Sequence, residues 1–151
     1  MLVHGGTPNS RLLYGPHVEL AARQGIRLIS YDRPGYGGSA RQPGRTIADC
    51  TADVRAIAGV LEIDRLAVWG GSGGGPHALA CAALLPDLVV AVASLASPAP
   101  YGSPGLDYCE GMGEMNAETS SCSSPTAWPR APSARPTQRS SSPPTRASSP
   151  S

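Results

Sequence analysis

The chain has 151 residues, the size of a single domain, and a formal net charge of only +1. The four arginines of its C-terminal part are scattered without interleaved aromatic residues, which argues against a nucleic-acid-binding surface. No signal peptide is visible, and apolar runs such as residues 88–93 are too short to span a bilayer. The four cysteines form no C-x-x-C pair and have no histidine at metal-ligand spacing. We therefore predict a cytoplasmic protein that binds no metal, nucleic acid or membrane.

Short apolar runs alternate with helical patterns along most of the chain. Near-continuous apolar strands joined by short connections are typical of a parallel sheet that is covered by helices on both faces. The predicted fold class is therefore α/β, a partial doubly wound parallel sheet of about four strands. The strands are predicted at residues 2–3, 26–31, 66–69 and 88–95, and the helices at residues 10–24, 46–61 and 74–85.

Capping residues predict where the first two helices begin and end. Ser10 is the expected N-cap of the first helix, Gly25 its C-terminal stop, and Thr46 the expected cap of the second helix. The buried stripe of the first helix is predicted to comprise Leu12, Leu13, Val18, Leu20 and Ala21.

The composition changes sharply towards the C-terminus. Residues 119–151 contain eleven serines and seven prolines and offer almost nothing that could fill a core, so we predict that they are disordered. The folded domain then extends over residues 1–118 and ends with a short amphipathic helix at residues 105–118.

The most informative motif is WGGSGGGPHALA, residues 69–80. Here a G-x-S-x-G sequence, Gly70 to Gly74, lies between a predicted strand and a predicted helix, which is the arrangement of a nucleophile elbow. Gly-Ser-Gly sequences also occur in flexible loops, but the flanking strand and helix favour the elbow. A phosphate-binding P-loop needs a lysine, which the chain lacks, and a dinucleotide-binding motif that starts at Gly71 meets Pro76 where its third glycine belongs.

Three segments in this order, HGGTPNS, YDRPGYGGS and WGGSGGGPHALA, resemble the α/β-hydrolase superfamily. They are most similar to small bacterial serine hydrolases and proline-iminopeptidase-like enzymes, and the resemblance covers residues 1–118. It implies that the strands correspond to the third to sixth of an eight-stranded sheet, so that the chain is truncated at both ends. It also implies that the Tyr31 strand and the Val68 strand lie on opposite sides of the Val3 strand.

The resemblance also implies roles for individual residues. Ser72 is the expected nucleophile, the N–H of Gly73 is one oxyanion donor, and the N–H of Gly6 or Thr7 is the second. His4 is expected to tie its loop by hydrogen bonds. Asp32-Arg33-Pro34-Gly35 is expected to shape the opposite wall as a rigid turn that contains a local Asp–Arg pair.

The other two members of a catalytic triad are difficult to find. The family order is serine, acid, histidine, but no histidine follows His77 in this chain. His17 and His77 are expected to be packing or surface residues. The candidate acids lie after the last predicted strand, at Asp107, Glu110 and Glu114.

The resemblance ends abruptly near Glu118. The following sequence is rich in serine, proline, arginine and alanine, which suggests translation in a shifted reading frame. Comparison of the other two reading frames of the coding DNA would test this idea.

These observations lead to two hypotheses about function. The first is a truncated serine hydrolase that acts on small-molecule carboxylic esters or amides without a cofactor and is inactive in this form. The alternative is a non-catalytic fragment or a binding module that keeps the pocket without the triad. In either case we expect self-association through exposed sheet edges.

Overall fold

A four-stranded parallel sheet forms the centre of the first of two structural units. In the computed structural model residues 1–115 are described, and the units divide between residues 100 and 101. The strands are β1 (Leu2–His4), β2 (Ile29–Ser30), β3 (Leu66–Gly71) and β4 (Val89–Leu95), in the spatial order β2-β1-β3-β4. Val3 pairs with Ser30 on one side and with Trp69 on the other. The predicted α/β fold class and strand order are confirmed.

Three helices flank the strands, namely α1 (Gly15–Arg23), α2 (Cys50–Val60) and α3 (Gly75–Leu84). Helix α3 packs on β1, β3 and β4 and also against α2, so it is the central helix of this unit. Small residues on α3 allow this close packing, since Ala78 and Cys81 are fully buried. The hydrophobic core lies between α2, α3 and the sheet and comprises Leu2, Cys50, Val54, Ala58, Leu66, Val68, Ala78, Cys81, Leu85 and Leu88.

Helix α1 differs from its prediction in both its start and its packing. It begins at Gly15 with Pro16 in its first turn, because proline is preorganised for the first helical position. Ser10 instead accepts a hydrogen bond from the Leu12 N–H in a preceding turn. The predicted buried stripe is also wrong, since α1 buries only Ala21, whereas Leu12, Val18 and Leu20 are exposed.

Helix α2 begins four residues later than predicted. Thr46 does not cap it; the Thr46 N–H and hydroxyl both donate to the Asp49 carboxylate, at 2.6 and 2.7 Å. This local turn competes with helix formation, so regular α2 starts at Cys50.

The second unit begins at Tyr101 and is described as far as residue 115. Consecutive turns occupy most of residues 101–111, and the Asp107 carboxylate accepts a hydrogen bond from the Cys109 N–H. The helix predicted at residues 105–118 is therefore not formed over residues 105–113. The predictions of a disordered, frameshifted tail at residues 119–151 lie outside the described residues. Within residues 1–115 no helix combines the length and the apolarity needed to cross a membrane.

Strand β4 is the exposed edge of the sheet. Within residues 1–115 it pairs only with β3, and each residue of β4 after Val89 is exposed, including Val90 and Val92. Because an unpaired apolar edge recruits other strands, we expect the purified chain to form oligomers or to aggregate. Val92→Lys should shift size-exclusion profiles towards the monomer, whereas Val60→Lys, on an exposed position of α2, should not. A wild-type chain that elutes as a clean monomer would contradict this expectation.

Candidate active site

Ser72 lies at the carboxyl end of β3, where the chain turns sharply into α3. A short 3-10 turn, Ser72–Gly74, connects the two elements. Ser72 has a φ of 48°, in the left-handed region that non-glycine residues rarely adopt, and its side chain is exposed. Such strain persists only where the surrounding structure imposes it, and it is common at functional sites.

Two glycines of the motif are required by close backbone contacts. A Cβ atom on Gly70 would overlap the carbonyl group of Gly74, and one on Gly74 would overlap the carbonyl oxygen of His4. Both obstacles are backbone atoms, which cannot rotate away as a side chain does. The G-x-S-x-G spacing therefore reflects the packing of the turn against β1.

The loop after β1 lies next to Ser72. A Cβ atom built on Gly6 would lie 3.4 Å from the Ser72 Cβ, and one built on Gly73 would lie 3.4 Å from the Thr7 nitrogen. The backbone N–H groups of Gly6 and Thr7 donate no hydrogen bond within residues 1–115. The structure thus brings together the four residues singled out from the sequence, and it leaves the loop donors available.

Arg33 connects the loop after β1 with the turn that carries Ser72. It is only 6% exposed, and its guanidinium donates to the carbonyl oxygens of Gly6 at 3.2 Å and Gly73 at 3.3 Å. It also lies 3.2 Å from His77 Nδ1 and stacks over the Tyr36 ring. The expected local pair with Asp32 is wrong, because Arg33 reaches across the sheet instead.

Asp32 has a different partner, Arg11. Its carboxylate forms an ion pair with the Arg11 guanidinium and accepts the N–H groups of Arg11 at 2.6 Å and Gly38 at 2.9 Å. These contacts tie the loop after β1 to the loop after β2. The hydrogen bond from Gly38, followed by that from Arg11, holds the pKa of Asp32 below its ordinary value.

A carboxylate with a lowered pKa makes stability dependent on pH. The contribution of Asp32 to folding stability is fully present above the pKa of about 3.9 that its carboxyl group has in the unfolded chain. This contribution is lost as the pH falls through the lower pKa of the folded state. Asp32→Asn should therefore lower the urea midpoint at pH 7, and the difference from wild type should shrink below about pH 4. Asp64→Asn is the control, since that carboxylate makes no hydrogen bond or ion pair among the described residues. If Asp32→Asn lowers the urea midpoint equally at pH 7 and at pH 3, the stability does not depend on ionisation of Asp32 and the prediction is wrong.

The three histidines all lie within the described residues, and none hydrogen-bonds to Ser72. His77 Nδ1 lies 3.1 Å from the Gly73 carbonyl oxygen, and burial, followed by the charge of Arg33, lowers the pKa of His77 to about 4. His17 contacts Tyr14 and Trp69 edge-on. The candidate acids Asp107, Glu110 and Glu114 belong to the second unit.

His4 was expected to hold its loop by hydrogen bonds, but in the structure its ring contacts the core instead. It is 1% exposed, its Nε2 lies 3.5 Å from Cys81 Sγ, and its Nδ1 has no hydrogen-bond partner. Cys81 Sγ in turn lies 3.7 Å from Cys50 Sγ. Hydrogen bonds from Cys50 and then His4 lower the pKa of Cys81. No local pattern in the sequence indicates this cluster, because its three members come from distant segments.

A cavity of about 560 Å³ opens beside the candidate site. Thr7, Arg33 and His77 line it, whereas Ser72 does not, so within the first unit the serine lies outside this space. Its wall also contains Arg41 and Arg45, which give it a positive character.

The fold agrees with a comparison against protein families. The model of the α/β hydrolase fold family matches residues 1–119, and the chain therefore belongs to this family. No match was found among curated proteins.

Several solved structures share this architecture. An α/β hydrolase fold protein from Nakamurella multipartita is 29% identical, with a TM-score of 0.60, over 77% of this chain and 39% of its own. Cfl2 from Burkholderia cenocepacia has 24% identity and a TM-score of 0.61, over 78% of this chain and 39% of its own. A structure from a study of carboxylesterases of Nitrososphaera gargenis has 23% identity and a TM-score of 0.58, over 64% of this chain and 36% of its own. The chain thus spans less than two fifths of the length of each.

Proposed function

We propose that this chain carries the nucleophile side of a serine hydrolase site for carboxylic esters or amides, with Ser72 as the nucleophile. The observation that carries the proposal is the strained, exposed Ser72 at the end of β3, beside unpaired loop N–H groups. A hydroxyl held in this way can approach a carbonyl carbon without rearrangement of the backbone.

In the proposed reaction the Ser72 oxygen attacks the substrate carbonyl and forms an acyl-enzyme, which water then hydrolyses. The N–H groups of Gly73 and of Gly6 or Thr7 donate to the oxyanion that forms. One such donor is typically worth about 3–4 kcal/mol in the transition state. The contacts between the Gly6–Thr7 loop and the Gly73 turn support this assignment.

The reaction also needs a general base, and no histidine of the chain bonds to Ser72. We therefore propose that the chain alone does not turn over esters at an enzymatic rate. We further propose that the chain is related to the small bacterial, proline-iminopeptidase-like hydrolases and corresponds to the part of such an enzyme that carries the nucleophile. Similarity to a structure from a carboxylesterase study supports an ester substrate.

The second candidate is a module that binds a small molecule without hydrolysing it. The cavity of about 560 Å³ favours it, because Arg33, Arg41 and Arg45 line this cavity independently of Ser72. This alternative would be favoured if a carboxylate ligand binds equally well to wild type and to Ser72→Ala. It also requires that neither the chain alone nor a chimera with a complete hydrolase hydrolyses esters.

The remaining parts of the proposal concern setting and assembly. We propose a cytoplasmic setting, in which Cys50 and Cys81 would remain the free thiols that the structure shows. The partners proposed are a small ester or amide and, through β4, further copies of the chain, with neither nucleic acid nor membrane involved.

A chimera tests the proposal directly. Residues 1–100 would replace the matching segment of the Nitrososphaera gargenis carboxylesterase, which then supplies the remaining residues of the site. We expect hydrolysis of p-nitrophenyl acetate that Ser72→Ala reduces by about 10⁶-fold. Ser94→Ala, a serine on β4, is the matched control and should retain activity. A chimera that melts cooperatively but shows no activity dependent on Ser72 would overturn the assignment.

A further inference from the structure

Three side chains with metal-binding atoms converge beneath the sheet. His4 ends β1, Cys50 begins α2 and Cys81 lies in α3, and each is at most 1% exposed. One ligand atom from each lies within 4.8 Å of the other two. This cluster is separate from Ser72, and the proposed hydrolysis makes no use of its thiols.

Two of the three spacings in the cluster match the edges of a zinc coordination tetrahedron. Zn–S distances of about 2.3 Å and Zn–N distances of about 2.0–2.1 Å imply a sulfur–sulfur edge of about 3.8 Å and a sulfur–nitrogen edge of about 3.6 Å. The observed distances are 3.7 Å between the two Sγ atoms and 3.5 Å between Cys81 Sγ and His4 Nε2. The third separation, between Cys50 Sγ and a ring nitrogen of His4, is within 4.8 Å, so a zinc ion held by all three side chains would draw Cys50 and His4 closer together.

Unpartnered polar atoms lie around the same cluster. Within residues 1–115 the buried side-chain N and O atoms without a hydrogen bond are His4 Nδ1 and Tyr31 Oη. The Tyr31 ring packs edge-on against that of His4, with 5.8 Å between centroids. Buried unpaired groups cost free energy, and a bound water commonly accounts for them. A zinc ion on His4 Nε2 would leave Nδ1 as an N–H donor, so these two atoms mark a polar environment beside the cluster rather than a contact with the ion itself.

Charge balance and ligand type both favour a soft divalent ion. Two thiolates and a neutral imidazole neutralise one Zn²⁺, so the loaded site would bury no net charge. Sulfur ligands select Zn²⁺ over Mg²⁺ or Ca²⁺, which prefer oxygen. Cys50 also lines the cavity of about 560 Å³, from which a water molecule can reach the fourth coordination position.

We propose that His4, Cys50 and Cys81 form a binding site for one Zn²⁺ ion that ties β1, α2 and α3 together. Zinc releases the thiol protons when it binds, and the bound ion adds a link between three elements of the core.

The test uses the full reduced chain and titrates it with Zn²⁺ against a chromophoric chelator, and with Co²⁺ as a spectroscopic probe. We expect one ion per chain, a thiolate-to-Co²⁺ charge-transfer band, and an unfolding temperature that rises with Zn²⁺ concentration. Cys50→Ser and Cys81→Ser should each weaken binding at least tenfold. The double variant Cys109→Ser/Cys122→Ser should bind like wild type. His4→Gln should shift the Co²⁺ spectrum.

Three outcomes would overturn the site. The first is wild-type chain that binds no Zn²⁺ under these conditions while it remains folded by circular dichroism. The second is binding that Cys50→Ala and Cys81→Ala leave unchanged. The third is a chain that forms a Cys50–Cys81 disulfide in air, as measured by intact mass, and that binds no metal after the disulfide is reduced. None of these readouts depends on Ser72, so failure here leaves the hydrolase proposal standing.

Discussion

Gly74→Ala is expected to unfold the first unit or to destabilise it by about 3 kcal/mol or more, which is the upper range for overpacking. The new Cβ would overlap the His4 carbonyl oxygen and lie 2.6 Å from that of Gly5. These atoms belong to the chain that leaves β1, so relief requires β1 to separate from the serine turn. Since small domains are stable by only about 5–15 kcal/mol, this is a large fraction of the total. Urea denaturation followed by circular dichroism measures the effect.

Gly59→Ala is the matched control, and it should have the opposite sign. Gly59 lies in α2 with nothing within 4 Å of an added Cβ. Alanine in a helix is favoured over glycine by about 0.5–1 kcal/mol, so this variant should be slightly more stable. If Gly74→Ala unfolds at the same urea concentration as wild type, the close packing of the serine turn described above is incorrect.

The purified chain should hydrolyse p-nitrophenyl acetate about 10⁶-fold more slowly than an enzyme with a complete triad, and Ser72→Ala should change this rate little. The reason is that no histidine bonds to Ser72, since His4 contacts Cys81, His77 contacts Gly73 and His17 packs on aromatic rings. Oxyanion donors without a triad retain only about 10³–10⁴-fold acceleration over water. Fluorophosphonate labelling of Ser72 should accordingly be slow.

A burst assay with active-site titration checks this prediction. Turnover near that of an ordinary esterase, lost in Ser72→Ala, would mean that a base reaches the serine in solution. His4→Ala and His77→Ala would then identify it, with His17→Ala as the surface control.

Features encoded by contiguous residues could be predicted from the sequence. The serine turn was found because a strand, two glycines around Ser72 and a helix with Pro76 in its first turn follow each other directly. The strand order came from the family resemblance. The start of the first helix differs from the prediction because Ser10 and Pro16 are competing start signals, and the local pattern alone does not decide between them.

Contacts between distant segments could not be predicted in this way. Arg33 was paired with its neighbour Asp32 because adjacent opposite charges suggest a local contact, whereas burial directs its guanidinium towards Gly6 and Gly73. The His4, Cys50 and Cys81 cluster has no local spacing for the same reason. Only the packing of α2 and α3 beneath β1 brings its members together.

The hydrogen bond from Arg33 to the Gly6 carbonyl oxygen has a consequence for the peptide group that joins Gly6 to Thr7. A cation that draws electron density onto this oxygen polarises the whole amide, and the Thr7 N–H at its other end becomes a stronger donor. Between the two candidate donors of the loop, this favours Thr7 over Gly6. The benefit grows as negative charge develops on the substrate, so Arg33 would assist the proposed reaction through the peptide bond without touching the substrate.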